Sequence, residues 1–150
     1  MKKQFLIFLA ICLALSFTAC RAPNNSPQVE STPVSAMAGM DAGAIVEAYS
    51  THHNLPEVQG SGIVVKMLKD DTNGSQHQKF LLKVSDNITI LIAHNIDLAP
   101  RLDDIQVGDA VAFRGEYIYT PKGGTVHWTH KDPRGNHEAG WLKLNGKTYE

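Results

Sequence analysis

The chain contains two segments in which histidine, aspartate, asparagine and arginine cluster between apolar stretches. Residues 123–137 hold three histidines, and residues 93–101 hold a fourth beside asparagine, aspartate and arginine. Such side chains are costly to bury and stay exposed unless they are paired or act as ligands. We therefore predict one polar site with the candidate residues His77, His94, Asn95, Asp97, Arg101, His127, Trp128, His130, Asp132 and His137.

A divalent metal such as zinc or manganese is one occupant that these residue types allow, because imidazole and carboxylate groups ligate both ions. The ligand set would be His94, His127 and His130. However, His127 and His130 are three residues apart and point to opposite faces of a regular strand. The structural alternative is that His127 and Trp128 pack into the core while His130 and Asp132 bond to the loop backbone.

A small polar or anionic ligand is the other occupant that fits. Arg101 could clamp a carboxylate or phosphate with two hydrogen bonds, or it could pair with Asp97 or Asp104 and order its own loop. Trp128 could stack on a ring or pack in the core. The sequence has no nucleophile elbow and no phosphate-binding glycine loop, so no catalytic residue is assigned.

The elements that must position these residues follow from periodicity and turn signals. Residues 42–53 have helical spacing, and from Val58 onward the period changes to two. Strands are predicted at 60–68, 77–84, 88–93, 110–119 and 125–129, and a hairpin turns at Asn145-Gly146. This pattern predicts a mainly β fold: a small five-stranded OB-like barrel with one short N-terminal helix and a C-terminal hairpin. An open meander packed on the helix is the competing architecture.

The OB-like topology also predicts where the polar residues meet. In such barrels strand five lies beside strand three and runs parallel to it, so the ends of both strands reach the rim that carries the first turn. Asp70 and Asp71 in that turn would then share one mouth with the histidine-rich segments.

The N-terminus reads as a processing signal. Lys2 and Lys3 precede a short apolar run that ends in Phe17-Thr18-Ala19-Cys20, which resembles the lipobox of bacterial lipoproteins. We expect a signal peptide over 1–19, lipidation at Cys20, a flexible tether over 20–40 and the β domain over 41–150. By resemblance to lipoprotein sorting in Gram-negative bacteria, Arg21 favours the outer membrane, with the domain facing the periplasm.

Charge narrows the range of partners. The chain has 14 Lys and Arg against 15 Asp and Glu, a net charge of −1, and losing Lys2 and Lys3 with the signal makes it −3. Nucleic acid is therefore not an expected partner, because binding it requires a basic footprint. The expected partners are the membrane, through the lipid anchor, and a small ligand. The sequence does not identify protein partners.

Several long strings resemble one bacterial family, the domain of unknown function 3465 family. They include GIVVKMLKDD at 62–71, LIAHNIDLAPR at 91–101 and HWTHKDP at 127–133, and the resemblance covers residues 58–149. It implies a small secreted or lipid-anchored β domain and supplies no activity.

Three functions remain open. The first is a membrane-tethered domain that binds a small polar or anionic ligand at the rim. The second is a metal-dependent hydrolase, such as a phosphodiesterase, with Arg101 steering the substrate. The third is a structural envelope lipoprotein.

Overall fold

The computed structural model describes residues 42–150. The predicted signal peptide, the lipidation site Cys20 and the tether lie outside the described residues. The described elements are α1 (Gly43–Thr51), β1 (Leu55–Met67), β2 (His77–Lys83), β3 (Thr89–Asn95), β4 (Ala110–Ile118), β5 (Thr125–His127), β6 (Trp141–Leu144) and β7 (Lys147–Tyr149).

Five of these strands form a closed barrel. They are hydrogen-bonded in the order β1-β2-β3-β5-β4, and β1 also pairs with β4, which closes the sheet. The contact between β3 and β5 is parallel, whereas the other pairings are antiparallel. The hairpin of β6 and β7 extends the sheet from β4. The predicted OB-like barrel with one helix and a C-terminal hairpin is confirmed, and the open meander is wrong.

Strict alternation of side chains builds the core. Phe80 and Leu82 on β2 and Ile90 and Ile92 on β3 are fully buried, while the residues between them face outward and are partly exposed. Helix α1 adds Ile45 to the same core, with no exposed surface. Burying a side chain of this size contributes about 1.5–3 kcal/mol, so the barrel interior is the main source of stability.

The first strand starts earlier than predicted. It begins at Leu55, five residues before the predicted start, because its N-terminal half pairs with β4. Its register shifts lie between Leu55 and Val58 and between Val64 and Lys66. Gly62 permits the close approach of β2, since a Cβ there would lie 2.4 Å from the carbonyl oxygen of Lys83.

Within residues 42–150, no helix combines the length and the apolar character that crossing a membrane requires.

The turn into β5 should tolerate no side chain at Gly124. Its φ is +90°, and a Cβ would meet the ring of Tyr117, which is buried and donates a hydrogen bond to the Gly123 carbonyl at 2.9 Å. We expect Gly124→Ala to lower the free energy of unfolding by about 3 kcal/mol through overpacking and backbone strain. Urea denaturation measures this loss.

Gly146→Ala is the matched control. Gly146 also has a positive φ, +80°, but nothing lies within 4 Å of its missing Cβ. Only backbone strain applies there, so the expected loss is about 1 kcal/mol. Equal losses in the two variants would contradict the packing role of Gly124.

Candidate functional site

His94, predicted as a rim ligand, is buried instead. The inward alternation of β3 continues from Ile90 and Ile92 to His94, which has no exposed surface. Its Nε2 lies 3.1 Å from the Pro100 carbonyl oxygen and its Nδ1 lies 2.8 Å from the Thr129 hydroxyl. Because a carbonyl only accepts, Nε2–H donates to Pro100 and Nδ1 accepts from Thr129. Both nitrogens of the neutral ring are therefore occupied.

The polar residues that follow β3 order their own loop. The Asn95 Oδ1 atom accepts a hydrogen bond from the Asp97 amide at 3.0 Å, and Asp97 Oδ2 accepts one from the Gln76 amide at 2.8 Å. These bonds tie the end of β3 to the connection before β2. The predicted meeting of the first turn with the end of strand three is present here, as a set of loop contacts.

Arg101 pairs with partners other than the two predicted. Its two terminal nitrogens face the carboxylate oxygens of Asp70 at 2.5 and 3.4 Å, and its Nε lies 3.6 Å from Asp103. The predicted pairing with Asp97 or Asp104 is wrong, because the loop carries Arg101 across to the first turn. A guanidinium held on both sides by carboxylates is not free to clamp an anion.

Beyond β5 the chain turns sharply. Trp128 has a φ of +54°, which ends the strand two residues earlier than predicted. His130 is 4% exposed and donates from Nδ1 to the Lys131 carbonyl at 2.8 Å. Asp132 accepts hydrogen bonds from the amides of Arg134 and Asn136, and these bonds lower the pKa of its carboxyl group. His130 and Asp132 therefore bond to loop backbone, as the structural alternative predicted.

His127 and His137 meet at a carboxylate that the sequence analysis missed. Glu116 Oε2 lies 3.4 Å from His127 Nε2 and 3.7 Å from His137 Nε2. His137 stacks on Trp128 with 4.3 Å between ring centroids and an interplanar angle of 5°. Glu116 is the direct cross-strand partner of His127, so the antiparallel register of β4 and β5 would have identified it.

Burial controls the charge on His127. Desolvation lowers the pKa of its imidazole, and this outweighs the opposing attraction of Glu116. The histidines His137, His77 and His130 also lie near enough to disfavour a proton there. His127 Nε2 is buried and has no hydrogen-bond partner among the residues that the structure describes. At pH 7 the ring is therefore mainly neutral.

The predicted metal set is not assembled. Within residues 42–150, no group of three or more His, Cys, Asp or Glu has an arrangement that would hold a metal ion. His94 is inside the barrel with both nitrogens engaged, whereas His127 is on the outer face of β5. His94, His127 and His130 therefore do not converge.

The outer face of the barrel carries an open trough of about 440 Å³. One cross-strand row defines it. Lys79 on β2 pairs with Ala93 on β3, and the register Leu91 to Thr125 and Ile92 to Val126 places Ala93 beside His127 on β5. Ala93 has a short side chain, whereas Lys79 and His127 on either side of it have long ones. The side columns, formed by the outward residues of β2 and β5, are two strand spacings apart, roughly 10 Å.

The trough has an apolar floor and polar walls. Leu91, Ala93 and Ile118 supply the apolar floor, and Thr125 lies on the β5 side with His127. Asp71, His77 and Lys79 form one wall and His127 forms the other. Of the ten predicted site residues, His77 and His127 line the trough, and His137 lies near Glu116 and stacks on Trp128. The other six hold loops: His94, Asn95, Asp97, Arg101, His130 and Asp132.

A closed five-stranded OB-like barrel with a polar trough on its outer face is the class that this geometry defines. Residues 29–150 match the family described as "Protein of unknown function (DUF3465)", and the chain belongs to that family. No curated protein matches the chain.

Burial of His94 should make stability depend on pH. Desolvation lowers its pKa to about 4 from 6.5. A proton then binds the unfolded chain more tightly, so the stabilisation is complete above pH 6.5 and is lost as the pH falls toward 4. We expect this residue to account for about 3 kcal/mol of unfolding free energy lost between pH 7 and pH 4. Urea denaturation across this range measures it.

His94→Gln separates this effect from general acid sensitivity. Glutamine can still donate to the Pro100 carbonyl but cannot take up a proton, so the variant should lose less stability on acidification. His53→Gln, at an exposed position after α1, is the control and should keep the wild-type pH dependence. An unchanged pH dependence in His94→Gln would contradict the assignment.

Proposed function

We propose that this protein is a ligand-binding domain of the bacterial cell envelope that takes a small polar or anionic ligand in the trough. The observation that carries the proposal is the row Lys79, Ala93 and His127, which leaves a gap between two polar walls above an apolar floor. Ligand sites combine such apolar surface with a few placed polar groups. The faces of OB barrels around strands two and three are common binding surfaces.

The contacts of the remaining polar residues favour binding over hydrolysis. The hydrolase alternative places His94, His127, His130 and Asp97 near a metal ion and uses Arg101 to steer the substrate. In the structure His94 is buried, Asp97 accepts a hydrogen bond from the Gln76 amide, and Arg101 is paired with Asp70. These groups stabilise the loops around the trough. A purely structural lipoprotein remains the other outcome of the binding test.

A cell-envelope location is part of the proposal. The lipobox-like Phe17-Thr18-Ala19-Cys20 supports a lipid anchor at Cys20, and Arg21 supports sorting to the outer membrane with the domain facing the periplasm. Two or more acyl chains hold a protein stably on a bilayer. The membrane is thus a partner through the anchor, while nucleic acid is not proposed because the chain carries no net positive charge.

Filling the trough should abolish binding without unfolding the barrel. Ala93 faces outward, so Ala93→Leu places new carbon atoms in the gap and changes stability by less than about 0.5 kcal/mol. Two-dimensional NMR of the full chain in micelles, titrated with phosphate, acetate, glutamate and glucose, should show saturable shifts of trough amides for at least one probe. In Ala93→Leu those shifts should disappear.

Thr89→Leu is the matched control. Thr89 lies on the same outer face of β3, opposite Lys83 and away from the trough walls. This variant should bind as the wild type does. If all four probes leave the trough amides unmoved, or if Ala93→Leu binds normally, the proposed site is wrong.

Lipidation should depend on one of the two cysteines. In a Gram-negative host grown with radiolabelled palmitate, the wild-type chain should be labelled and sediment with membranes. Cys20→Ser should lose both properties, because the thiol that receives the lipid is gone. Cys12→Ser should keep both, since we expect Cys12 to leave with the signal peptide. Label retained in Cys20→Ser would refute the anchor.

A further inference from the structure

We propose that the trough takes a sugar ring, so that the ligand is a neutral saccharide rather than an anion. This inference rests on the proposed function and narrows its ligand class. Three features of the trough support it: the balance of its charges, the mixture of donors and acceptors on its walls, and the apolar surface of its floor.

The charges of the trough are already balanced within the protein. Among the described residues that line it, Lys79 is the one with a permanent positive charge, and its Nζ lies 3.4 Å from the Asp71 carboxylate. The hydrogen bond from the Asn73 amide, together with this pairing, lowers the pKa of Asp71 and keeps it ionised. His127 is mainly neutral at pH 7 because burial lowers its pKa. An incoming anion would meet no unpaired cation and would lie near Glu116.

The walls offer donors and acceptors side by side, as hydroxyl groups require. Lys79 donates, the Asp71 carboxylate accepts, and the Thr125 hydroxyl does both. His77 donates from Nδ1 to the Ser75 carbonyl at 2.9 Å, and its Nε2 can exchange a hydrogen bond with a hydroxyl group. A sugar hydroxyl both donates and accepts, so it can satisfy mixed neighbours. An ionised carboxylate or phosphate oxygen only accepts hydrogen bonds, so it could not bond to the Asp71 carboxylate and would be repelled by its charge.

The floor suits the apolar face of a pyranose. Leu91, Ala93 and Ile118 line the trough with aliphatic groups. The carbon-bound hydrogens of a sugar ring form a flat apolar face that packs on such a surface and excludes water from it. The roughly 10 Å between the side columns leaves room for one ring with its hydroxyl groups directed at the walls.

The test compares neutral saccharides with anions on the full chain in lauryldimethylamine oxide micelles, a detergent without a sugar headgroup. The probes are glucose, N-acetylglucosamine and chitotriose against phosphate and benzoate, followed by amide shifts on β2, β3 and β5. We expect saturable binding of at least one saccharide. Its dissociation constant should change less than about twofold between 50 and 500 mM NaCl, because a neutral ligand is insensitive to screening.

Three substitutions sharpen the result. Ala93→Leu should raise the saccharide dissociation constant at least about tenfold, whereas Thr89→Leu should leave it within about twofold. Lys79→Gln should retain measurable saccharide binding, since glutamine still donates a hydrogen bond. If the trough were an anion site, Lys79→Gln would lose its affinity for the anion, and binding to the wild type would weaken as the salt concentration rises.

The outcomes separate this inference from the proposed function. If phosphate or benzoate moves the trough amides and the saccharides do not, the saccharide inference is overturned and the proposed binding function stands. If neither class moves them, both fall. Saccharide shifts that survive Ala93→Leu unchanged would place the sugar elsewhere and also overturn the inference.

Discussion

The parallel pairing of β3 with β5 is the constraint on which the rest of the structure depends. It rests on two register pairs, Leu91 with Thr125 and Ile92 with Val126. Gly123 makes this approach feasible, because a Cβ there would lie 1.9 Å from the Thr89 carbonyl oxygen. The Leu91 amide can then donate to the Gly124 carbonyl at 2.9 Å.

The pairing of β3 with β5 has a different consequence on each face of the barrel. On the outside it sets Ala93 beside His127 and so creates the trough. On the inside it brings Thr129 within 2.8 Å of His94. The inner contact joins the ends of both strands, and each such hydrogen bond contributes about 1 kcal/mol when it is satisfied. The buried polar residues therefore support the site without facing it.

The barrel could be predicted from the sequence, but the roles of the histidines could not. The period of two and the Asn145-Gly146 turn identified the strands, and the OB-like topology supplied their order in the sheet. The direction of each side chain depends on register, and a shift of one residue moves every side chain to the other face. The alternation of Ile88, Ile90 and Ile92, read two residues further, would have placed His94 inside the barrel. Glu116 lies outside the histidine-rich segments, and the cross-strand pairing of β4 with β5 identifies it.

The partner of Arg101 could not be predicted for a different reason. Residues 96–109 form an irregular connection without a periodic pattern. The sequence therefore does not predict which of several nearby carboxylates an arginine in this loop will contact. Its pairing with Asp70 depends on where the connection crosses the first turn, which is a property of the assembled barrel.

The side chains that form the trough walls are held in place by contacts with neighbouring protein groups, so the trough is preorganised. His127 belongs to the trough and also contacts Glu116, which in turn contacts His137 on the following loop. That loop is fixed by the Gly140 amide, which donates to the His130 carbonyl at 3.0 Å. On the other wall, Lys79 is restrained by its ion pair with Asp71. A ligand that enters walls already ordered loses less entropy on binding, and preorganisation of this kind favours affinity for a small molecule with few contacts.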